Sequence, residues 1–213
     1  MPARRLLFQL ARRLLFIAAA LAAAPAPHRA LAQEPDPARA ARLMDDLMWG
    51  RGTVGGPFEL IDHRGIKRTD ADFRGKLLLV YFGYTYCPDV CPADLMQIGL
   101  AIDRLGEAGD AVQPLFISVD PERDTVSMLA GYVALLHPRL IGLTGTAAQV
   151  RAVADEYKAY YARYSPPGGG EYLIDHTGFI YLMGRNGEYL GFFPPGTSAD
   201  RMAEIIGRHL TER

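Results

Sequence analysis

The sequence predicts an α/β sandwich built on a mixed sheet, and three observations carry that expectation. Apolar runs over residues 76–84 and 112–119 are continuous enough to be strands covered on both faces. Between and after them apolar residues recur at helical spacing, so strands alternate with helices. The last third changes character: Asn186-Gly187 between two apolar stretches marks an antiparallel hairpin. With 49% apolar and 22% charged positions among 213 residues, the chain is neither disordered, collagen-like nor a polytopic membrane protein.

The elements follow in order. Residues 1–32 hold five arginines (Arg4, Arg5, Arg12, Arg13, Arg29) and no acid. The basic stretch over 4–13, the apolar run over 14–24 and Ala30-Leu31-Ala32 read as a secretory signal peptide. That apolar run has 11 residues, too short for a bilayer core that takes roughly 20. The alternative is an uncleaved anchor starting near Leu6, which would bring Arg12 and Arg13 to bilayer depth at about 3 kcal/mol each. Export places the chain in an oxidising compartment, the periplasm, with inner-membrane anchorage as the alternative. The remainder carries 18 basic against 24 acidic side chains, a balance that argues against nucleic-acid binding.

Residues 33–54 read as a flexible lead with a short helix, where Met44 and Met48 form an apolar face or, alternatively, a thioether pair. One domain follows over 55–213. Residues 58–61 make a strand turned at Asp62-His63-Arg64-Gly65, and residues 76–84 make the next. Leu95, Ile98, Ile102 and Leu105 mark a helix closed by Gly106 and Gly109. A strand over 112–119, a helix over 124–136, a short strand over 140–143 and a helix over 147–161 complete the alternating part. Tyr157, Tyr160, Tyr161 and Tyr164 read as a packing stripe, ended by Ser165-Pro166-Pro167-Gly168-Gly169-Gly170. Residues 172–193 are hairpin-rich, and Ser198 caps a last helix ending near Leu210.

The two cysteines, Cys87 and Cys91, lie where a buried strand gives way to a helix. At i and i+4 they share a helix face, with Cα atoms about 6 Å apart, inside disulfide range. A helix N-terminus offers free N–H groups and partial positive charge, which favour thiolate. The pair suits a reversible disulfide or a soft-metal chelate. As an inert staple it would stabilise little, because the loop it closes is tiny. Two thiolates do not complete a metal site alone, so a third ligand is required.

Five histidines are available. His28 lies in the leader; His137, beside Pro138, and His209, on the last helix, read as solvent-facing. Leu60-Ile61-Asp62-His63-Arg64-Gly65 and Leu173-Ile174-Asp175-His176-Thr177-Gly178 are near copies, each a strand entering a turn. Arg64, Lys67 and Arg68 after His63 disfavour a cation there. Phe179, Ile180, Tyr181 and Leu182 after His176 indicate a drier setting. Context leans to His176 without settling the choice.

Several stretches, in this order and spacing, resemble the Sco/SenC family: Gly55-Gly56-Pro57-Phe58, Asp72-Phe73-Arg74-Gly75-Lys76, Tyr81-Phe82-Gly83-Tyr84-Thr85-Tyr86-Cys87-Pro88-Asp89-Val90-Cys91-Pro92, Ser118-Val119-Asp120-Pro121-Glu122-Arg123-Asp124-Thr125 and Tyr172-Leu173-Ile174-Asp175-His176-Thr177. The resemblance implies a thioredoxin-like domain and a copper chaperone that helps assemble the dinuclear copper centre of cytochrome c oxidase. It implies Cys87, Cys91 and His176 as copper ligands, and places Asp120 near them. By residue type alone Asp120, followed by Pro121, is a helix-start residue, a role compatible with facing the site. The expected partners are the copper-bearing oxidase subunit and another periplasmic copper carrier or thiol reductant, and the expected state is a monomer. The rival reading is an enzyme, a thiol-disulfide reductase of the oxidase subunit's cysteines.

Overall fold

The computed structural model describes residues 36–211, so the expected leader of residues 1–32 lies outside it. Nine strands occur among these residues: β1 (Glu59–Asp62), β2 (Lys67–Thr69), β3 (Leu77–Gly83), β4 (Val112–Ser118), β5 (Ile141–Thr144), β6 (Tyr161–Tyr164), β7 (Leu173–His176), β8 (Ile180–Met183) and β9 (Tyr189–Phe193). Seven form one sheet in the order β2-β1-β5-β4-β3-β8-β9, while β6 and β7 pair separately. β3, β4 and β5 run parallel, and β1, β2, β8 and β9 join antiparallel. This is the mixed α/β sandwich that the alternation implied, in a thioredoxin-like arrangement.

Among the described residues are five α-helices, α1 (Pro37–Met48), α2 (Val90–Arg104), α3 (Val126–Leu136), α4 (Ala147–Glu156) and α5 (Ala199–Thr211), and two short 3-10 turns at Asp70–Phe73 and Gly106–Ala111. α2 packs on β3 and β4 and against α3 and α5, whereas α4 packs on β1. β3 is buried at every position because both its faces are covered. Tyr81 and Gly83 face Cys91 and Phe116; Phe82 meets the rings of Tyr157 and Tyr181 at 5.5 and 5.9 Å. A strand so enclosed must be apolar on successive residues, which is why no alternation shows in its sequence. α1 carries Asp36 as its N-cap, and Arg39 reaches Asp155 at 2.5 Å.

Several expectations are corrected. The helix expected over 147–161 stops at Glu156, since Lys158 adopts a left-handed conformation (φ 54°) and residues 161–164 become β6. The tyrosine stripe therefore divides: Tyr157 and Tyr160 are buried, Tyr161 lies under Arg151 at 3.7 Å, and Tyr164 is largely exposed. β7 pairs with β6 rather than joining the hairpin around Asn186-Gly187. In α1 the buried residue is Leu47, while Met44 and Met48 face solvent. His137 is buried, not solvent-facing. Its ring lies against Gly99, Nδ1 accepts the Arg139 N–H at 3.2 Å, and Nε2 stands 3.3 Å from the Asp103 carboxylate. His209 is half-buried.

Candidate metal centre

β3 delivers the chain to a turn, and the turn delivers it to α2. Cys87 lies in that turn, outside the helix; Asp89 is the N-cap position and Cys91 the second helical residue. The two sulfurs thus do not share a helix face as i and i+4. Instead Cys87 Sγ takes the place of a capping oxygen and accepts the Cys91 N–H at 3.4 Å. Cys91 is fully buried and Cys87 half-buried, and both are free thiols. The sequence placed both cysteines on the helix at a strand-to-helix junction; the helix starts at Val90, so only Cys91 lies on it.

His176 arrives from the other side, as the last residue of β7, opposite Tyr161 in register. Its Nε2 stands 3.2 Å from Cys91 Sγ. The Thr177 carbonyl oxygen lies 3.4 Å from Nδ1 and can accept a proton held there, which leaves the Nε2 lone pair available to an ion. The rings of Tyr81 and Tyr84 meet the imidazole edge-on at 6.2 and 5.9 Å and hold it in place. The two sulfurs and a ring nitrogen all fall within 4.8 Å of one another. Three ligands about 2.2 Å from a common ion are separated by about 3.8 Å, so the spacing suits one ion. Two sulfurs and an imidazole are a soft donor set, suited to Cu(I) or zinc and not to magnesium or calcium.

His63 takes no part: its Nδ1 accepts the Gly142 N–H at 3.2 Å, tying the end of β1 to β5. The preceding acids also diverge. Asp62 is buried, accepts the N–H groups of Arg64 and Ile66, and is paired with Arg68 at 3.0 Å. Asp175 is exposed.

The thiols differ electrostatically. A hydrogen bond from the Cys91 thiol, which outweighs partial burial, lowers Cys87 to about 4, helped by His176 and the backbone N–H groups of Asp89 and Cys91. Cys91 is pushed well above the ordinary thiol range, first by that same hydrogen bond and then by burial. The Tyr81 hydroxyl donates to Asp94 Oδ2 at 3.4 Å. Asp94 is buried beneath the site; burial raises its pKa despite the Gly196 N–H donated to Oδ1 at 2.9 Å.

Asp120 is fully buried, but its hydrogen bonds and ion pairs are with Arg123, Tyr172 (2.8 Å), Ser118 (its own N–H donating, 3.0 Å) and Arg163 (3.9 Å), not with a thiol or His176. Nor does it start α3, whose N-cap is Thr125. Arg123 links the two halves of the site. It donates to the Tyr172 carbonyl at 3.0 Å and lies over the rings of Tyr172, Tyr86 and Tyr84 at 3.7, 4.8 and 5.7 Å. Nearby, Asp124 accepts the Thr85 N–H at 3.0 Å, and the hydroxyls of Thr85 and Ser118 donate to it at 2.6 Å, fixing the turn before Cys87. Sequence reasoning passed over Tyr81, Tyr84, Asp94 and Arg123. Tyr81, Tyr84 and Arg123 stand in the stretches that carry the resemblance, and Asp94 lies three residues after Cys91 on the same helix face, but their types alone assigned them no role at the site.

The sequence model of the SCO1/SenC family matches residues 48–211. Curated relatives include the mitochondrial SCO2 homolog of Bos taurus, 44% identical over 73% of this chain and 59% of its own length. The mitochondrial SCO1 homolog of Homo sapiens is 43% identical over 76% of this chain and 54% of its own. The chain thus spans little more than half the length of these relatives. Among solved structures, Arabidopsis thaliana ScoI with copper bound superposes with a TM-score of 0.69 at 38% identity, covering 74% of this chain and 98% of that one. Bradyrhizobium japonicum ScoI with copper bound gives 0.69 at 39% identity, over 74% and 99%. A match over most of the domain, with two-fifths of the residues shared, shows that the chain belongs to the SCO1/SenC family.

Proposed function

We propose that this chain binds copper through Cys87, Cys91 and His176 and delivers it to the dinuclear copper centre of cytochrome c oxidase. The observation that carries the reading is the convergence of two sulfurs and one imidazole nitrogen within 4.8 Å. Soft ligands at trigonal spacing suit Cu(I), and a third ligand on a separate hairpin lets the ion leave by stepwise ligand exchange to a thiol-bearing acceptor. Joining the two sulfurs removes two protons and two electrons, taken up by an acceptor disulfide, and abolishes the chelate; redox state then switches the carrier. Residues 1–32 act as an export signal that places the domain in the periplasm. No helix among the described residues is long and apolar enough to cross a membrane.

A second reading, a reductase of the oxidase subunit's cysteines, draws on the asymmetry between half-buried Cys87 and fully buried Cys91, as in an attacking and a resolving thiol. The two readings part at His176, since thiol exchange needs only the sulfurs. Copper stoichiometry of purified protein, beside oxidase assembly in cells, decides between them. His176→Ala is expected to abolish tight copper binding and oxidase assembly together. Assembly that survives His176→Ala but fails in Cys87→Ser overturns the chaperone reading in favour of the reductase.

A further inference from the structure

A groove of about 680 Å³ opens over the site, with Cys87, His176, Tyr84 and Ile174 on its floor. Its walls come from two different segments. On one side are Pro88 of the cysteine turn and Val90 at the start of α2; on the other are Tyr164 and Leu173, directly opposite each other in the β6–β7 ladder. Val90, Tyr164 and Leu173 all expose more than a third of their surface, an arrangement a soluble domain keeps where something docks. Asp89 and Asp175 line the same groove and are exposed, and neither carboxylate has a counter-ion among the described residues. The arginines behind the hairpin do not neutralise them: Arg123 is paired with Asp120, and Arg163 with Glu122 at 2.7 Å. The groove thus offers apolar walls, a sulfur on its floor and two uncompensated negative charges.

We propose that this groove docks a partner segment in which a cysteine is flanked by aliphatic side chains and then by lysine or arginine. This names the partner chemistry of the proposed carrier and rests on that reading. The aliphatic groups fill the walls between Val90 and Leu173, and the cations pair with Asp89 and Asp175. The partner's sulfur meets Cys87, the more accessible thiol. Charge complementarity of this kind acts mainly on the rate of encounter and on the choice of partner.

Metal-free reduced protein tests the proposal independently of copper. Three short peptides each carry one cysteine activated as its mixed disulfide with thionitrobenzoate. The first has leucines beside the cysteine and lysines outside them; the second replaces lysine by glutamate, the third leucine by serine. Cys87 thiolate attacks the peptide sulfur, a Cys87–peptide disulfide forms, and thionitrobenzoate leaves with the electron pair as the coloured product. The lysine peptide is expected to react about tenfold faster than the glutamate peptide at low ionic strength, with the ratio collapsing in about 0.5 M salt. In the variant with both Asp89→Asn and Asp175→Asn the ratio of the two rates should fall to near one; because it is a ratio, any change in intrinsic thiol reactivity cancels. Equal rates in the wild type, a ratio that persists in the double variant, or a serine peptide as fast as the leucine peptide each overturn the proposal. Failure here leaves copper stoichiometry untouched, whereas a chain that binds no copper sinks the carrier reading alone.

Discussion

Cys87 and Cys91 are the same residue type four positions apart, yet they hold their protons very differently. Cys87 is lowered to about 4 by the Cys91 thiol and the helix N–H groups, while Cys91 is raised. In metal-free protein, iodoacetamide is therefore expected to alkylate Cys87 at a rate that stays nearly constant from pH 8 to about pH 5, with Cys91 spared; mass spectrometry of the labelled peptides checks this. The same shift ties stability to pH. A thiol whose folded pKa lies below its unfolded value of about 8.5 stabilises the fold fully above that value. The contribution declines as pH falls and is gone below about 4. Urea denaturation of Cys87→Ser beside the wild type should show a gap widest near pH 9 and closed near pH 4. Arg123 acts on another pair. Arg123→Ala leaves the fully buried Asp120 without its main counter-charge, an uncompensated ion that should cost about 3 kcal/mol in the same assay.

At the scale of elements, the site depends on how closely α2 approaches the end of β3. A Cβ built on Gly83 would meet Cys91 Sγ at 2.9 Å, Tyr81 at 3.0 Å and Phe116 at 3.1 Å. These are side chains locked in a filled core, so Gly83→Ala should displace Cys91 rather than be absorbed. The expected result is a loss of about 1–3 kcal/mol in stability and about tenfold or more in copper affinity, with far-UV circular dichroism unchanged. Wild-type copper affinity in that variant would show that the helix can yield without moving the sulfur. The third proposed ligand, His176, depends on a different element, the β6–β7 hairpin. Its connecting loop includes Gly168, Gly169 and Gly170, all with positive φ, which other residues adopt only with strain. The hairpin is anchored instead by Arg123, which donates to the Tyr172 carbonyl and lies over the Tyr172 ring.

For the whole molecule, the three proposed ligands come from segments 85 residues apart, so an ion bound to all of them would be bound by the folded state alone. Binding to the native state only raises stability by about 2.7 kcal/mol when free metal exceeds the dissociation constant a hundredfold. Cu(I) should therefore raise the melting temperature of the wild type in a concentration-dependent way, and a chelator should reverse it. In His176→Ala the rise should disappear at the same copper concentration, as read by differential scanning fluorimetry. An equal rise in that variant would mean that the histidine contributes nothing to binding.

The sequence alone determined the alternation of strands and helices, the enclosed character of β3 and β4, and the pairing of two thiols at a strand-to-helix junction. Each is written in neighbouring residues: runs of apolar side chains, helical spacing, two cysteines four apart. It also offered two nearly identical strand-to-turn segments, ending in Asp62-His63 and Asp175-His176, and the residues around them favoured the second without deciding. Tertiary structure decided. β1 lies beside β5, where His63 binds backbone, whereas β7 stands off the central sheet and brings its imidazole to the sulfurs. The same holds for the burial of His137 over Gly99 and for Arg123 among three tyrosines. Such contacts join residues far apart in the chain, and local periodicity carries no record of which distant surface a side chain will meet.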